Sequence, residues 1–335
     1  MHKDSIINSG DPLRSGSITT LAGGIGAARF LTGLTSVVAP ERITVIVNTG
    51  DDIYLHGLRI CPDIDTVTYT LAGVVSSDRG WGIEDETFAC LGWLARYAGE
   101  QWFNLGDRDL ATHIYRTNQL SQGQSLSRVT REINQALGVR PRILPMTDSY
   151  TPTRVVTGKG PMHLQEYFVR HRCTPQVKSV EFEDISSAIP APEVVDSILD
   201  ASVVILCPSN PFISIGPILA VPGIRAALIE TNATVAAITP IVGGKAVKGP
   251  AADMLRDLSH EVSPVAVATL YRDFLDGFVL DSIDESRRIE IESLGLRVLV
   301  TDTIMKTREH KERLAAEVVK WLGPLKKRES VTPMR

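Results

Sequence analysis

Ile43-Thr44-Val45-Ile46-Val47 is an apolar, β-branched run broken by one threonine, without the in–out alternation of a strand that keeps one face wet. Such a strand is buried on both faces, so helices must cover the sheet above and below, and that geometry needs parallel strands joined by crossovers. Runs of the same kind recur at Ile18–Ala22, Ser202–Cys207, Thr234–Ile241, Gly277–Leu280 and Arg297–Val300. Helical stretches follow several of them, notably Ala27 to Val38, Ile224–Ile229 and Glu309–Leu322. The alternation predicts an α/β fold, a Rossmann-like, doubly wound and mostly parallel sheet. Between about 145 and 195 the pattern changes. Thr153–Val156, His163–Val169 and Gln176–Glu181 read as short, half-exposed strands around Gly158-Lys159-Gly160, a small inserted antiparallel subdomain. The expected layout is a flexible leader over 1–17, one α/β domain over 18–323 carrying the insert, and a basic tail over 324–335. Met146, Trp93 and Trp321 are expected in the core.

Composition narrows the partners. The 335 residues carry 35 basic and 39 acidic side chains, a net charge of −4. No basic excess stands ready to neutralise a nucleic-acid backbone, so any phosphate must be met locally. Cys61, Cys90, Cys173 and Cys207 form no C-x-x-C pair, which leaves zinc and redox readings without support. Neither a signal-peptide stretch nor a membrane-length apolar run appears, and a cytoplasmic protein is expected.

Open α/β sheets bind ligands beyond the carboxyl ends of their strands, where strand order reverses. After the first strand comes Gly23-Gly24-Ile25-Gly26, opening a helix. Its glycines read either as a plain strand-to-helix turn or as a phosphate site of bare amides and a helix N-terminus. It is not a Walker loop, and Arg29 stands where G-x-G-x-x-G needs its third glycine. After the second strand comes Asn48-Thr49-Gly50-Asp51-Asp52, where a nicotinamide enzyme would place its ribose-binding acid, so a dehydrogenase is a rival reading. Asp63 and Asp65 follow in Pro62-Asp63-Ile64-Asp65-Thr66, and Asp65 alone could be a helix cap. Four carboxylates within fifteen residues repel one another, a tension relieved by a proton or a divalent cation. Magnesium beside a diphosphate fits, because it uses few protein carboxylates. Leu105-Gly106-Asp107-Arg108-Asp109 opens another helix; Arg108 could clamp phosphate or serve an Asp–Arg network. His113 reads as a satisfied histidine. The loop Pro208-Ser209-Asn210-Pro211, running on through Ser214 and Gly216, gathers hydroxyls, an amide and a glycine behind a buried strand, a nest for phosphate oxygens or a purine edge. Lys248, in Val247-Lys248-Gly249-Pro250-Ala251, adds a cation or belongs to a surface loop.

These segments, with Trp81-Gly82-Ile83-Glu84 and Ser214-Ile215-Gly216-Pro217-Ile218, stand in the order of one family. Together they resemble the phospholactate (or phosphoenolpyruvate) transferases of coenzyme F-420 biosynthesis, over roughly residues 18–323. The resemblance implies a magnesium-dependent homodimer. Its donor would be a guanosine-diphosphate-linked lactate or enolpyruvate, its acceptor the deazaflavin alcohol Fo. The terminal hydroxyl of Fo would attack the phosphorus bearing the acid and expel GMP. On that footing Asp51, Asp52 and Asp63 are assigned to magnesium and the donor, and Gly23, Gly24 and Gly26 to its phosphates. Asp65 would meet the ribityl hydroxyl, and Arg108 the acceptor or the developing charge. Ser209, Asn210, Pro211, Ser214, Gly216 and Lys248 would seat guanosine and diphosphate. A nucleotide-binding regulatory protein without transfer chemistry is the non-enzyme alternative.

Overall fold

Seven strands, buried at their centres in all but the edge strand β7, make one parallel sheet: β1 (Ile18–Ala22), β2 (Ile43–Val47), β3 (Arg142–Pro145), β4 (Val203–Leu206), β5 (Thr234–Ile238), β6 (Gly277–Asp281) and β7 (Arg297–Thr301). The computed structural model describes residues 16–97, 99–325 and 327. Residues 1–15 of the expected leader, and 326 and 328–335 of the expected tail, lie outside the described residues. The strand order is 7-6-5-4-1-2-3, and every neighbouring pair is parallel. Taken from the other edge, that is the 3-2-1-4-5-6 order of dinucleotide-type sheets with a seventh strand added. The winding reverses where β1 lies between β2 and β4. Successive side chains of β2 explain the double burial: Ile43, Val45 and Val47 enter one core cluster and Ile46 the other.

The five longest helices among the described residues are α1 (Gly24–Val37), α2 (Pro62–Leu71), α3 (Asp107–Ser121), α4 (Leu126–Ala136) and α5 (Arg308–Leu322). No single helix among the described residues is long and apolar enough to cross a membrane.

The insert is a three-stranded antiparallel sheet, Gly160–His163, Thr153–Thr157 and Val177–Phe182, with Thr153–Thr157 central. Its expected strand over 163–169 is mostly absent. The chain leaves the sheet at His163 and winds into a wide helical turn, Glu166–Arg170. Leu164 and Tyr167, both buried, share the three-residue spacing of one helix face, which a two-residue period cannot supply. The expected strand Thr234–Ile241 likewise stops at Ile238. Pro240 cannot donate to a ladder, and beyond it Ile241–Val242 pairs with Lys245–Ala246 in a hairpin. Met146 is fully buried as expected, whereas Trp93 is 56 % exposed. Trp93 sits on the outer helix Ala89–Arg96, none of whose residues is buried; its ring is covered by Arg96 at 4.4 Å instead of by core.

Candidate active site

At the reversal point the loops after β1 and β4 are latched together. Ser209 Oγ donates to the Gly23 carbonyl at 2.8 Å, and a Cβ on Gly26 would stand 2.3 Å from the Pro208 carbonyl oxygen, so only glycine lets α1 start this close. Gly24 has φ +73°, the left-handed region that favours glycine. Between these loops and α2 opens a cleft of about 330 Å³. The polar loop divides its work. Asn210 caps its own turn, its side-chain oxygen accepting from the Phe212 and Ile213 amides. Ser214 lines the cleft beside Gly23 and Asp63, as do Ser209 and Asn210. Pro211 and Gly216 face a separate groove with Phe212 and Tyr271.

Asp51 and Asp63 reach the cleft floor from the end of β2 and the first turn of α2. The Asp63 amide donates to Asp51 Oδ2 at 3.1 Å. Asn48 Nδ2 donates to Asp63 Oδ2 at 2.9 Å and to the Ile213 carbonyl at 3.2 Å, tying the acids to the Ser-Asn-Pro loop. Burial raises both carboxyls: Asp63 is pushed up to about 6, and Asp51, with Asp63 and Asp52 also repelling it, stands well above the usual range. Two buried carboxylates that prefer not to be charged together form a donor set suited to a small divalent cation. Asp52 turns away from the cleft. Arg59 grips its Oδ2 through Nε (3.1 Å) and Nη2 (2.9 Å), and the Cys61 thiol donates to the same oxygen. Burial raises the Asp52 carboxyl despite Arg59. Behind it, His163 accepts at Nδ1 from the Gln165 amide, so its Nε2 carries the proton and donates to the Asp52 carbonyl at 3.0 Å.

Further along α2 the cleft meets α3. Arg116, fully buried, holds Asp65 with both outer nitrogens: Nη1 donates to Oδ2 at 3.0 Å and Nη2 to Oδ1. His113 lies between two acids, Nδ1 at 3.7 Å from Asp65 Oδ2 and Nε2 at 3.2 Å from Asp109 Oδ1. Tyr69 OH donates to that same Asp109 oxygen at 2.7 Å. Oxygens and nitrogens of Asp65, Asp109 and His113 approach within 4.8 Å of one another. The guanidinium already claims both Asp65 oxygens, so a second cation there would face a resident positive charge. Asp65, Asp109, His113 and Tyr69 all line the cleft.

Arg108 is exposed, its Nη1 donating to the Glu84 carbonyl at 2.7 Å, and it is not among the cleft-lining residues. The cations that do line it are Arg29 on α1 and Lys248. Burial and the nearby Arg29 charge hold the Lys248 ammonium below its usual range, and the same two causes lower Lys311. None of the three forms an ion pair among the described residues. Trp81, Phe103 and Phe168 add aromatic surface to the walls.

Sequence reasoning passed over Arg59, Arg116 and Arg29. Arg116 carried a readable signal, since Asp109, His113 and Arg116 are spaced four and three apart on one helix face. The family model of 2-phospho-L-lactate transferase CofD matches residues 18–318. A phosphoenolpyruvate transferase from Streptomyces griseus is 44 % identical over 294 residues, covering 86 % of this chain and 92 % of its own. A 2-phospho-L-lactate transferase from Methanosarcina mazei is 37 % identical over 298 residues, covering 89 % and 98 %. Among solved structures, protein BH3568 of Bacillus halodurans superposes with TM-score 0.60 at 16 % identity, covering 91 % of this chain and 99 % of that one, a likeness of fold alone.

Proposed function

The chain belongs to the 2-phospho-L-lactate transferase CofD family, and from that premise we propose that it moves a phospho-lactyl or phospho-enolpyruvyl group from a guanosine-diphosphate-linked donor to the terminal hydroxyl of the deazaflavin Fo. The acceptor oxygen bonds to the phosphorus bearing the three-carbon acid. The bond from that phosphorus to the bridging oxygen breaks, and GMP leaves with the electron pair. The observation that carries the reading is the meeting, on one cleft, of the glycine turn, Ser214 and the acid pair Asp51–Asp63 with a second polar cluster that begins at Asp65 in the same first turn of α2.

Transfer of this kind asks the protein chiefly for positioning and charge neutralisation. Gly23 and Gly24 would present backbone to the diphosphate, with Arg29 and Lys248 at its flank. Ser209 and Asn210 hold the loop whose Ser214 faces the same oxygens. Asp51 and Asp63 would hold magnesium, which when bound would neutralise charge on the diphosphate. Asp52, its carboxylate held by Arg59, stands apart from this pair. Asp65, with Arg116 and Asp109, would frame the acceptor's ribityl end, and Trp81 and Phe103 would offer faces for its ring. Arg108 would steer the acceptor from the rim.

Purified protein given Fo, magnesium and either guanosine-linked donor is expected to yield a phosphodiester whose mass is that of Fo plus the phospho-acid less one water, with GMP in equal amount, read by mass spectrometry. Neither product appearing with either donor would sink the proposal.

A further inference from the structure

We propose that Asp109 is the catalytic carboxylate that takes the acceptor hydroxyl's proton. The proposal rests on the transfer reading above and adds a residue to it. Asp65, Tyr69, Asp109 and His113 border this part of the cleft, and their hydrogen bonds leave one carboxylate oxygen open. Asp65 is spent, both oxygens lying on the Arg116 guanidinium. His113 is spent as well. Arg116 Nη1 lies 3.2 Å from His113 Nδ1, and because a guanidinium only donates, Nδ1 supplies its lone pair there. The ring proton then sits on Nε2, facing Asp109 Oδ1 at 3.2 Å. A neutral imidazole in that state has no lone pair left for a substrate. Tyr69 also donates, to the same Oδ1. The Tyr69 hydrogen bond and the close edge of the His113 ring therefore both lie at one oxygen of Asp109, and Oδ2 takes no hydrogen bond among the described residues.

Asp109 is also placed to stay ionised until it is needed. It lines the cleft and sits in the first turn of α3, where the helix N-terminus favours an anion. Burial alone would raise its carboxyl, but the His113 hydrogen bond and charge, Tyr69 and Arg116 outweigh burial and hold it below the usual range. In the step itself the acceptor O–H bond breaks and its proton passes to Asp109 Oδ2. The acceptor oxygen forms its bond to phosphorus, and the leaving nucleoside monophosphate takes the electrons of the broken phosphorus–oxygen bond. Tyr69, His113 and Arg116 are positioning residues that fix Oδ1 so that Oδ2 points at substrate.

The test compares wild type, Asp109→Asn, Asp109→Ala and Tyr69→Phe in the coupled transfer assay, with steady-state constants for donor and acceptor and a thermal unfolding curve for each. Asp109→Asn is expected to lower kcat by about 10²–10⁴-fold, the usual worth of a general base, with KM for the donor unchanged. Formate is expected to restore part of the Asp109→Ala rate, a response a purely structural role would not give. Tyr69→Phe, which removes one hydrogen bond to the carboxylate, should lower kcat roughly tenfold, and it serves as the deciding variant if neither Asp109 protein folds. Asp109→Asn within threefold of wild-type kcat would overturn the proposal. So would a loss carried by KM and unfolding temperature together, or full rates in Tyr69→Phe when the Asp109 variants fail to fold. Wild type inactive with every donor would instead refute the transfer reading, a distinct outcome.

Discussion

An Arg116→Met protein is expected to lose about 3–5 kcal/mol of stability, the cost of leaving a buried charge without its partner. Arg116 is 0 % exposed and Asp65 5 % exposed, so salt screens the pair little and water reaches Asp65 only from its cleft side. The loss spreads beyond one pair. Arg116 also offsets the charge of Asp109 and lies against His113, so its removal leaves two carboxylates and an imidazole to share a site built around a cation. Urea unfolding would measure the effect. A double variant, Arg116→Met with Asp65→Leu, is expected to recover most of it, because exchanging a buried ion pair for apolar groups of similar size is often close to neutral. A single variant losing under 1 kcal/mol, on the scale of an exposed pair, would show that Asp65 finds another partner.

The second large effect runs in opposite directions for stability and activity. Asp63→Asn is expected to stabilise the metal-free protein at pH 8 while cutting transfer by about 10²–10³-fold, the usual loss when one group neutralising transition-state charge is removed. The sign follows from burial. The Asp63 carboxyl rises from 3.8 to about 6 in the folded chain. The folded state therefore binds this proton more tightly than the unfolded state does. The stability it brings is complete below the ordinary value and is lost as pH climbs through about 6. At roughly 1.4 kcal/mol per pH unit of displacement, the acid costs on the order of 3 kcal/mol at pH 8. An amide removes that cost and flattens the profile between pH 4 and 7. Thermal unfolding with a chelator present, at pH 5 and pH 8, tests it. A variant less stable than wild type at pH 8 would mean that the Asn48 hydrogen bond to Asp63 outweighs repulsion.

What could be read from the sequence was whatever lies in consecutive residues. The doubly buried strands announced a parallel sheet because apolar runs without alternation have no other use in a globular fold of this kind. The glycine turn, the Asp63 region and the Ser-Asn-Pro loop stood out because each sits at a strand's carboxyl end or just beyond it. Contacts between distant segments could not be read this way. Nothing local pairs Arg116 with Asp65, 51 positions away, or shows that Arg59, cross-strand from Tyr54 in a short hairpin, folds back on Asp52. β3 escaped for a different reason: four residues beginning with an arginine and ending with a proline do not resemble a strand until β2 offers them a partner. Trp93 shows the opposite error. Large apolar side chains are usually interior, yet a ring stacked under an arginine can stay at the surface.

β1 and β4 touch along their whole length although Ile18 and Val203 are 185 positions apart. A growing chain thus emerges with its glycine turn and all four acids long before β4 and the Ser-Asn-Pro loop that walls them exist. Until then those carboxylates crowd together with no opposing wall, and nothing can grip a diphosphate. The complete cleft is consequently something this polypeptide acquires late in its synthesis, and an N-terminal fragment ending before β4 lacks the Ser-Asn-Pro wall, Lys248 and Thr303.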